Sequence, residues 1–217
     1  MKLRRLFHAN KDIPIKMTNF NEVELVRCVV IGDSDCGKEM MLKKYADYSG
    51  VPYDNDNGQL VTAFNGRKCV FVDSKADPGY EDPHVFLLCV SVARHTSVEE
   101  TVRMILDTVI DRIRSVPFVL VGTQIEKRLL SPIEYSKEHG TNYHPMSLHQ
   151  AESFAKRIGA SKYLECSEVT GEGLDEVFEE AFDVGYSYAL SQRNGYQSRK
   201  SSVSNEKVRK SSVCITQ

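Results

Sequence analysis

The sequence predicts a three-layer α/β domain, with a mostly parallel six-stranded sheet flanked by helices. Three observations carry that reading. Short apolar runs alternate with helical patterns along the chain. The run Val85–Ser91 is continuously apolar, as expected of a strand covered on both faces. The first apolar run, residues 23–31, feeds directly into a glycine turn and a helical pattern.

The elements follow in order. Residues 23–31 read as a buried strand and residues 38–47 as a helix. Gln59–Phe64 and Arg67–Asp73 read as strands joined at Asn65-Gly66, a dipeptide that suits a tight hairpin turn. After the strand Val85–Ser91, residues 97–114 form a helix. Val98, Val102, Ile105, Val109 and Ile113 share one stripe there, and Ser97 with Glu100 makes a capping box. Residues 117–122 are another apolar strand, 147–158 a helix stopped at Gly159, and 163–166 a short strand. Residues 173–190 close the domain as a helix with Leu174, Val177, Phe178 and Phe182 inward. This divides the chain into a flexible extension (1–22), a folded domain (23–190) and a disordered basic tail (191–217).

Bulk properties narrow the function. The 217 residues suffice for one domain plus tails, and a 41% hydrophobic fraction suits a globular core. The net charge of −2 gives no reason to expect a nucleic-acid partner. The cysteines are Cys28, Cys36, Cys69, Cys89, Cys166 and Cys214. None forms a C-x-x-C pair and three sit in apolar runs, which is reduced, intracellular usage. No apolar run reaches the roughly 18 residues that span a bilayer. The basic start lacks the apolar stretch of a signal peptide, and Lys2 excludes N-myristoylation.

The most specific motif is Gly32-Asp33-Ser34-Asp35-Cys36-Gly37-Lys38-Glu39, a G-x-x-x-x-G-K phosphate loop between a strand and a helix. The glycines let backbone amides turn inward, Lys38 supplies a point charge, and the helix start adds its dipole. The eighth position is ordinarily a Ser or Thr that binds Mg²⁺, and here it is Glu39. A carboxylate can ligate Mg²⁺. Without the cation, like charges about 4 Å apart cost on the order of 4 kcal/mol at an effective dielectric near 20.

With this loop in place, the chain resembles the Rho family of Ras-like small GTPases from about Val26 to Phe182. The resemblance rests on Arg27 to Asp33 leading into the loop, Val51-Pro52 at the start of an effector loop, Asp73 ending a strand, and Val85 to Cys89. It rests further on Pro117 to Glu126, which is similar to a T-Q-x-D guanine motif, and on Lys162 to Ser167. Segment 127–146 occupies the place of the Rho-specific insert. The resemblance implies GTP/GDP as ligand, with Mg²⁺ at the positions of Glu39, Tyr53 and Asp73. It implies contacts to the guanine from Thr123, Gln124, Glu126, Ser167 and the backbone N–H of Glu168. It also implies Rho effectors or regulators as partners.

The departures bear on activity. Ser34 stands where the family has glycine, obstructing a catalytic glutamine and an activator's arginine. Tyr53 replaces the effector-loop threonine. Ala76 replaces the glycine that senses the γ-phosphate, and Asp77 stands where the catalytic glutamine is expected, so no confident catalytic residue is assigned. The loop after Asp73 is short, and the second switch helix is not expected to form. Glu126 is one methylene longer than the family's Asp, and Glu168 replaces a small alanine. Catalysis in this class is positioning and electrostatics, so hydrolysis is expected near background. Lys127 and Arg128 read as a plain surface pair, with the resemblance also allowing a stem packed on the base there, and His139, His144 and His149 read as loop histidines.

The sequence ends in Cys214-Ile215-Thr216-Gln217, a C-a-a-X signal for a prenyl group on Cys214. Arg193, Arg199, Lys200, Lys207, Arg209 and Lys210 supply the basic patch that a single lipid chain needs for stable residence. The repeated Arg-Lys-Ser-Ser-Val would take phosphate at Ser201, Ser202, Ser211 and Ser212 and weaken that patch. The expectation is a lipid-anchored signalling protein on the cytoplasmic face of membranes. It either holds guanine nucleotide with little hydrolysis, or acts as a nucleotide-independent scaffold that sequesters Rho effectors or regulators.

Overall fold

The computed structural model describes residues 23–74, 82–93, 98–113, 115–129 and 146–211, with side chains described as far as residue 194. Seven strands form one sheet: β1 (Leu25–Gly32), β2 (Tyr53–Asp54), β3 (Gln59–Phe64), β4 (Arg67–Asp73), β5 (Val85–Ser91), β6 (Phe118–Thr123) and β7 (Lys162–Glu165). Their spatial order is β2-β3-β4-β1-β5-β6-β7. The hairpin β3–β4 is antiparallel, while β4, β1, β5, β6 and β7 run parallel. The seventh strand is the correction to the expected six. Tyr53 pairs with Leu60 and Asp54 with Gln59 at the sheet edge, and two residues are too few to show a period. The turn behind them is tied by the Asp54 carboxylate, which accepts from the amides of Asp56 and Asn57 at 3.0 and 3.1 Å.

Alternation along the strands divides the core. Val26, Cys28 and Val30 of β1 face one layer with Phe71, Leu87 and Val121. Val29 and Ile31 face the other with Phe86, Leu88 and Leu120. The first layer is covered by α1 (Lys38–Ser49) and α4 (Leu174–Ser211). The second is covered by α2 (Val98–Ile113) and α3 (Leu148–Arg157). Leu174, Val177, Phe178 and Phe182 are all buried, as the stripe predicted. The α2 stripe is described at Val102, which is buried, and at Ile105, which packs beside it. Its proposed cap at Ser97 lies outside the described residues. A capping box does form at α3, where the Gln150 amide donates to the Ser147 hydroxyl and the Ser147 amide to the Gln150 side chain. The Ser147-x-x-Gln150 spacing encodes that box.

α4 lies close to the sheet because Gly185 lacks a side chain. A Cβ there would sit 2.8 Å from Val26 and 3.0 Å from Val85. The helix then runs on to Ser211, past the boundary expected at 190. The continuation contains no proline, and its lysines and arginines are good helix formers, although serine is its commonest residue. Five cysteines are buried in the core as free thiols. The sulfurs of Cys28 and Cys69, on neighbouring strands, lie 3.6 Å apart.

Aromatic rings tie the helices to the sheet. Phe178 stacks on Tyr45 with centroids 3.8 Å apart and tilts against Phe71 at 4.6 Å. It joins α4 to both α1 and β4. Phe178→Ala is expected to cost about 3–5 kcal/mol, measured as a shift in the urea midpoint at constant slope.

Candidate functional site

The loops after β1, β6 and β7 leave the carboxyl ends of parallel strands, where an open sheet forms its ligand crevice. At the end of β1, a Cβ on Gly32 would lie 2.6 Å from the Cys89 carbonyl oxygen. Only glycine therefore lets the chain leave the strand so close to β5. Gly37 adopts φ 78°, the left-handed region, and starts α1. Between these glycines the loop closes on itself. The Lys38 ammonium donates to the Asp33 carbonyl at 3.0 Å, and the Cys36 thiol donates to the same oxygen at 3.2 Å. Lys38 is only 2% exposed. An ammonium carries three donors, and among the described residues its acceptor is this one neutral carbonyl. Buried charges are normally paired, so this arrangement suits an arriving anion.

Two further loops close over it. The buried Thr123 hydroxyl lies 2.5 Å from the Cys36 carbonyl and 3.1 Å from that of Val90, tying the phosphate loop to β6 and β5. Gln124 has φ 63°, a left-handed conformation costing about 1–2 kcal/mol in a residue with a Cβ. Its side chain holds that strained position. The Ser91 hydroxyl donates to its oxygen at 2.6 Å, and its amide donates to the Asp35 carbonyl at 3.2 Å. Glu126 lies in a 3₁₀ turn, Ile125–Leu129. One of its oxygens accepts from the Ser167 hydroxyl at 2.6 Å, and that hydroxyl accepts from the amides of Val169 and Thr170. Thr123, Gln124, Glu126, Ser167 and Glu168 thus converge through two linked loops, and the contacts of Thr123 and Gln124 join those loops to the phosphate loop.

Glu168 occupies the space between these loops. It is 9% exposed. A methyl placed on Gly37 would meet a Glu168 carboxylate oxygen at 2.6 Å, with the Gln124 amide nitrogen at 3.4 Å. Burial pushes the Glu168 carboxyl above the ordinary carboxylate range and the Glu126 charge adds to the shift, while its own amide, the Gln124 side chain and the Gln124 amide oppose it. One oxygen of Glu168 and one of Glu126 are buried without a hydrogen-bond partner.

Arg128 corrects the surface-pair expectation. It forms a two-pronged pair with Glu165, one prong at 2.6 Å, and donates to the Met146 carbonyl at 2.8 Å. The Tyr163 hydroxyl donates to the same Glu165 at 2.6 Å. This network anchors the 3₁₀ turn to β7. Nothing in a Lys-Arg dipeptide reveals it, because the partner lies 37 residues away.

The positions expected at the metal cluster loosely. Glu39 and Asp73 both raise the Tyr53 hydroxyl pKa, after burial, which is the largest cause. Glu39 is exposed and pairs with Lys43 at 2.8 Å, a contact worth about 0.3–0.5 kcal/mol and readily exchanged for a cation. Among the described residues no group of three His, Cys, Asp or Glu forms a ready metal cage. The set fits a cation bound by one or two carboxylates and otherwise by phosphates and water. Ser34 and Asp35 are exposed on the loop's outer rim. Asp77, Cys214, His139 and His144 lie outside the described residues.

Thr123→Val is expected to cost about 1–3 kcal/mol by leaving a buried carbonyl unsatisfied, read by chemical denaturation. Glu168 gives a second expectation. An acid held above its unfolded pKa binds its proton more tightly when folded. Its contribution is complete below the unfolded value and falls as pH rises through the raised one. Glu168→Gln removes that fall. Melting temperatures of the variant should therefore decline less than those of the native chain from about pH 4.5, the ordinary glutamate value, towards neutrality.

A family model described as Ras family matches residues 70–185. That stretch is more than half of the chain; it begins inside β4, contains the loops after β6 and β7 and ends within α4. The phosphate loop precedes it. With this match on a mostly parallel sheet whose loops converge on the glycine loop after β1, the chain belongs to the Ras family of small GTPases.

Proposed function

We propose that this chain is a Rho-like member of its family that holds guanine nucleotide at its phosphate loop and hydrolyses it poorly. The observation that carries the proposal is Lys38, a buried ammonium donating to one neutral carbonyl inside a closed glycine loop. The terminal phosphates of GTP or GDP supply the missing negative charge, and the start of α1 contributes its dipole. Lys38 would give up the Asp33 carbonyl for phosphate oxygens, while Thr123 and Gln124 keep the loop from spreading. Glu39 and Asp73 would hold a divalent cation, which when bound neutralises charge on the terminal phosphates. Slow hydrolysis rests on the sequence alone: Ser34, Ala76 and Asp77 replace residues that the family uses to position water and sense the γ-phosphate. A prenyl group on Cys214 and the basic residues after 191 would hold the protein on the cytoplasmic face of a membrane, within reach of Rho effectors or regulators.

A second reading has one observation of its own. The Glu168 carboxylate already fills space between the loops, which favours a scaffold that carries little or no nucleotide. The two readings separate on chromatography of nucleotide released from the denatured protein, and on titration with a fluorescent GTP analogue. Lys38→Ala is expected to weaken analogue binding at least about tenfold, from the loss of a charge-assisted contact. Single-turnover hydrolysis is expected to stay near the uncatalysed rate and not to respond to a Rho-family activator. Turnover at an ordinary small-GTPase rate would overturn the proposal.

A further inference from the structure

An open-sided groove of about 870 Å³ lies at the amino ends of β1, β5 and β6, the end of the sheet opposite the crevice described above. That volume falls within the roughly 300–1,000 Å³ of ordinary ligand pockets. Leu25, Pro83, Val116 and Tyr188 line it with half-buried apolar surface. Two of its lining residues are locked together. The His84 ring nitrogen Nδ1 accepts from the Arg27 amide at 2.9 Å, and the His84 amide donates to the Arg27 carbonyl at 2.9 Å. Charge does not choose the occupant, because Glu24 and Asp82 line the groove along with Arg27 and Arg193. The course of the chain does. Val23 lines the groove and is only 4% exposed, so the polypeptide enters the first strand along the groove's own wall. Twenty-two residues precede it. Within them Ile13, Ile15 and Met17 alternate with Pro14 and Lys16, the period of an extended segment with one apolar side, and Phe20 follows. We propose that residues 13–20 of this chain dock in that groove, against the stretch of α4 from Tyr188 to Arg193. Ile13 stands ten residues before Val23, so the whole run stays within at most about 36 Å of the groove's edge. A short tether holds a segment at millimolar effective concentration, so an intrinsic dissociation constant of about 1 mM already fills the groove half of the time. Each apolar side chain that leaves water adds to that occupancy.

Two measurements on the full-length chain test the docking. In the first, Ile15 is replaced by photoreactive p-benzoylphenylalanine, the protein is irradiated, and the linked peptides are mapped by mass spectrometry. Links within one chain to Pro83, Val116 or the 188–193 stretch support the proposal. Links to other parts of the domain, links only between two chains, or no links at all overturn it. In the second, hydrogen exchange compares the native chain with the double variant Ile13→Asp, Ile15→Asp. Half occupancy lowers the open population twofold, so the amides of residues 188–193 should exchange at least about twofold faster in the variant. Equal rates in the two proteins overturn the proposal whatever the links show. Both substitutions precede the first strand, and a shared melting transition identifies folded material. Neither measurement involves nucleotide.

Discussion

The Thr123 hydroxyl is the constraint on which the rest of the crevice depends. It sits at the end of β6, fully buried, and reaches the carbonyls of Cys36 and Val90. Parallel strands fix where three loops emerge, but they do not fix how far those loops splay. One side chain sets that distance by linking the glycine loop after β1 to the end of β6. Gln124 adds a second tie from the next residue, and its left-handed backbone is stable only because both ends of its side chain are engaged. Serine could supply Thr123's oxygen but not its methyl group, which also occupies space in this sealed position.

Around that tie the charges divide into two regions. Lys38 is a cation enclosed by neutral groups. Glu126 and Glu168 are acids whose inner oxygens lack donors. The positive region lies in the loop after β1 and the negative region between the loops after β6 and β7. In a low-dielectric interior such imbalances are costly unless matched, so each region selects what enters it. The Arg128–Glu165–Tyr163 network lies just outside the acidic region and is internally satisfied at Glu165. It ties the 3₁₀ turn to β7, while Glu126 and Glu168 beside it each keep one unpartnered buried oxygen.

Most of the fold was legible because burial on two faces writes itself as continuous apolar runs. Val85–Ser91 and the Leu174 to Phe182 stripe fall where the pattern put them. β2 was invisible because two residues carry no period. The extension of α4 was missed because composition alone separates charged helix from charged coil poorly. At the crevice, motif spacing names residues that the fold brings close together, and the directions of their side chains are not legible in it. Nothing in the string Ser167-Glu168 says that the carboxylate turns towards Gly37, a residue 131 positions earlier in the chain. Arg128 shows the same limit, since long-range pairing is set by how β7 is threaded beside β6.

The free thiols of the core have a practical corollary. Cys28, Cys36, Cys69, Cys89 and Cys166 are all enclosed, and burial drives the thiols of Cys28, Cys89 and Cys166 away from the reactive thiolate. Alkylating reagents meet them only when the sheet opens. Because they are distributed over β1, the phosphate loop, β4, β5 and the end of β7, the order in which they are modified would chart which strands part first. The domain thus carries a built-in chemical stopwatch for its own unfolding, with no label to be engineered.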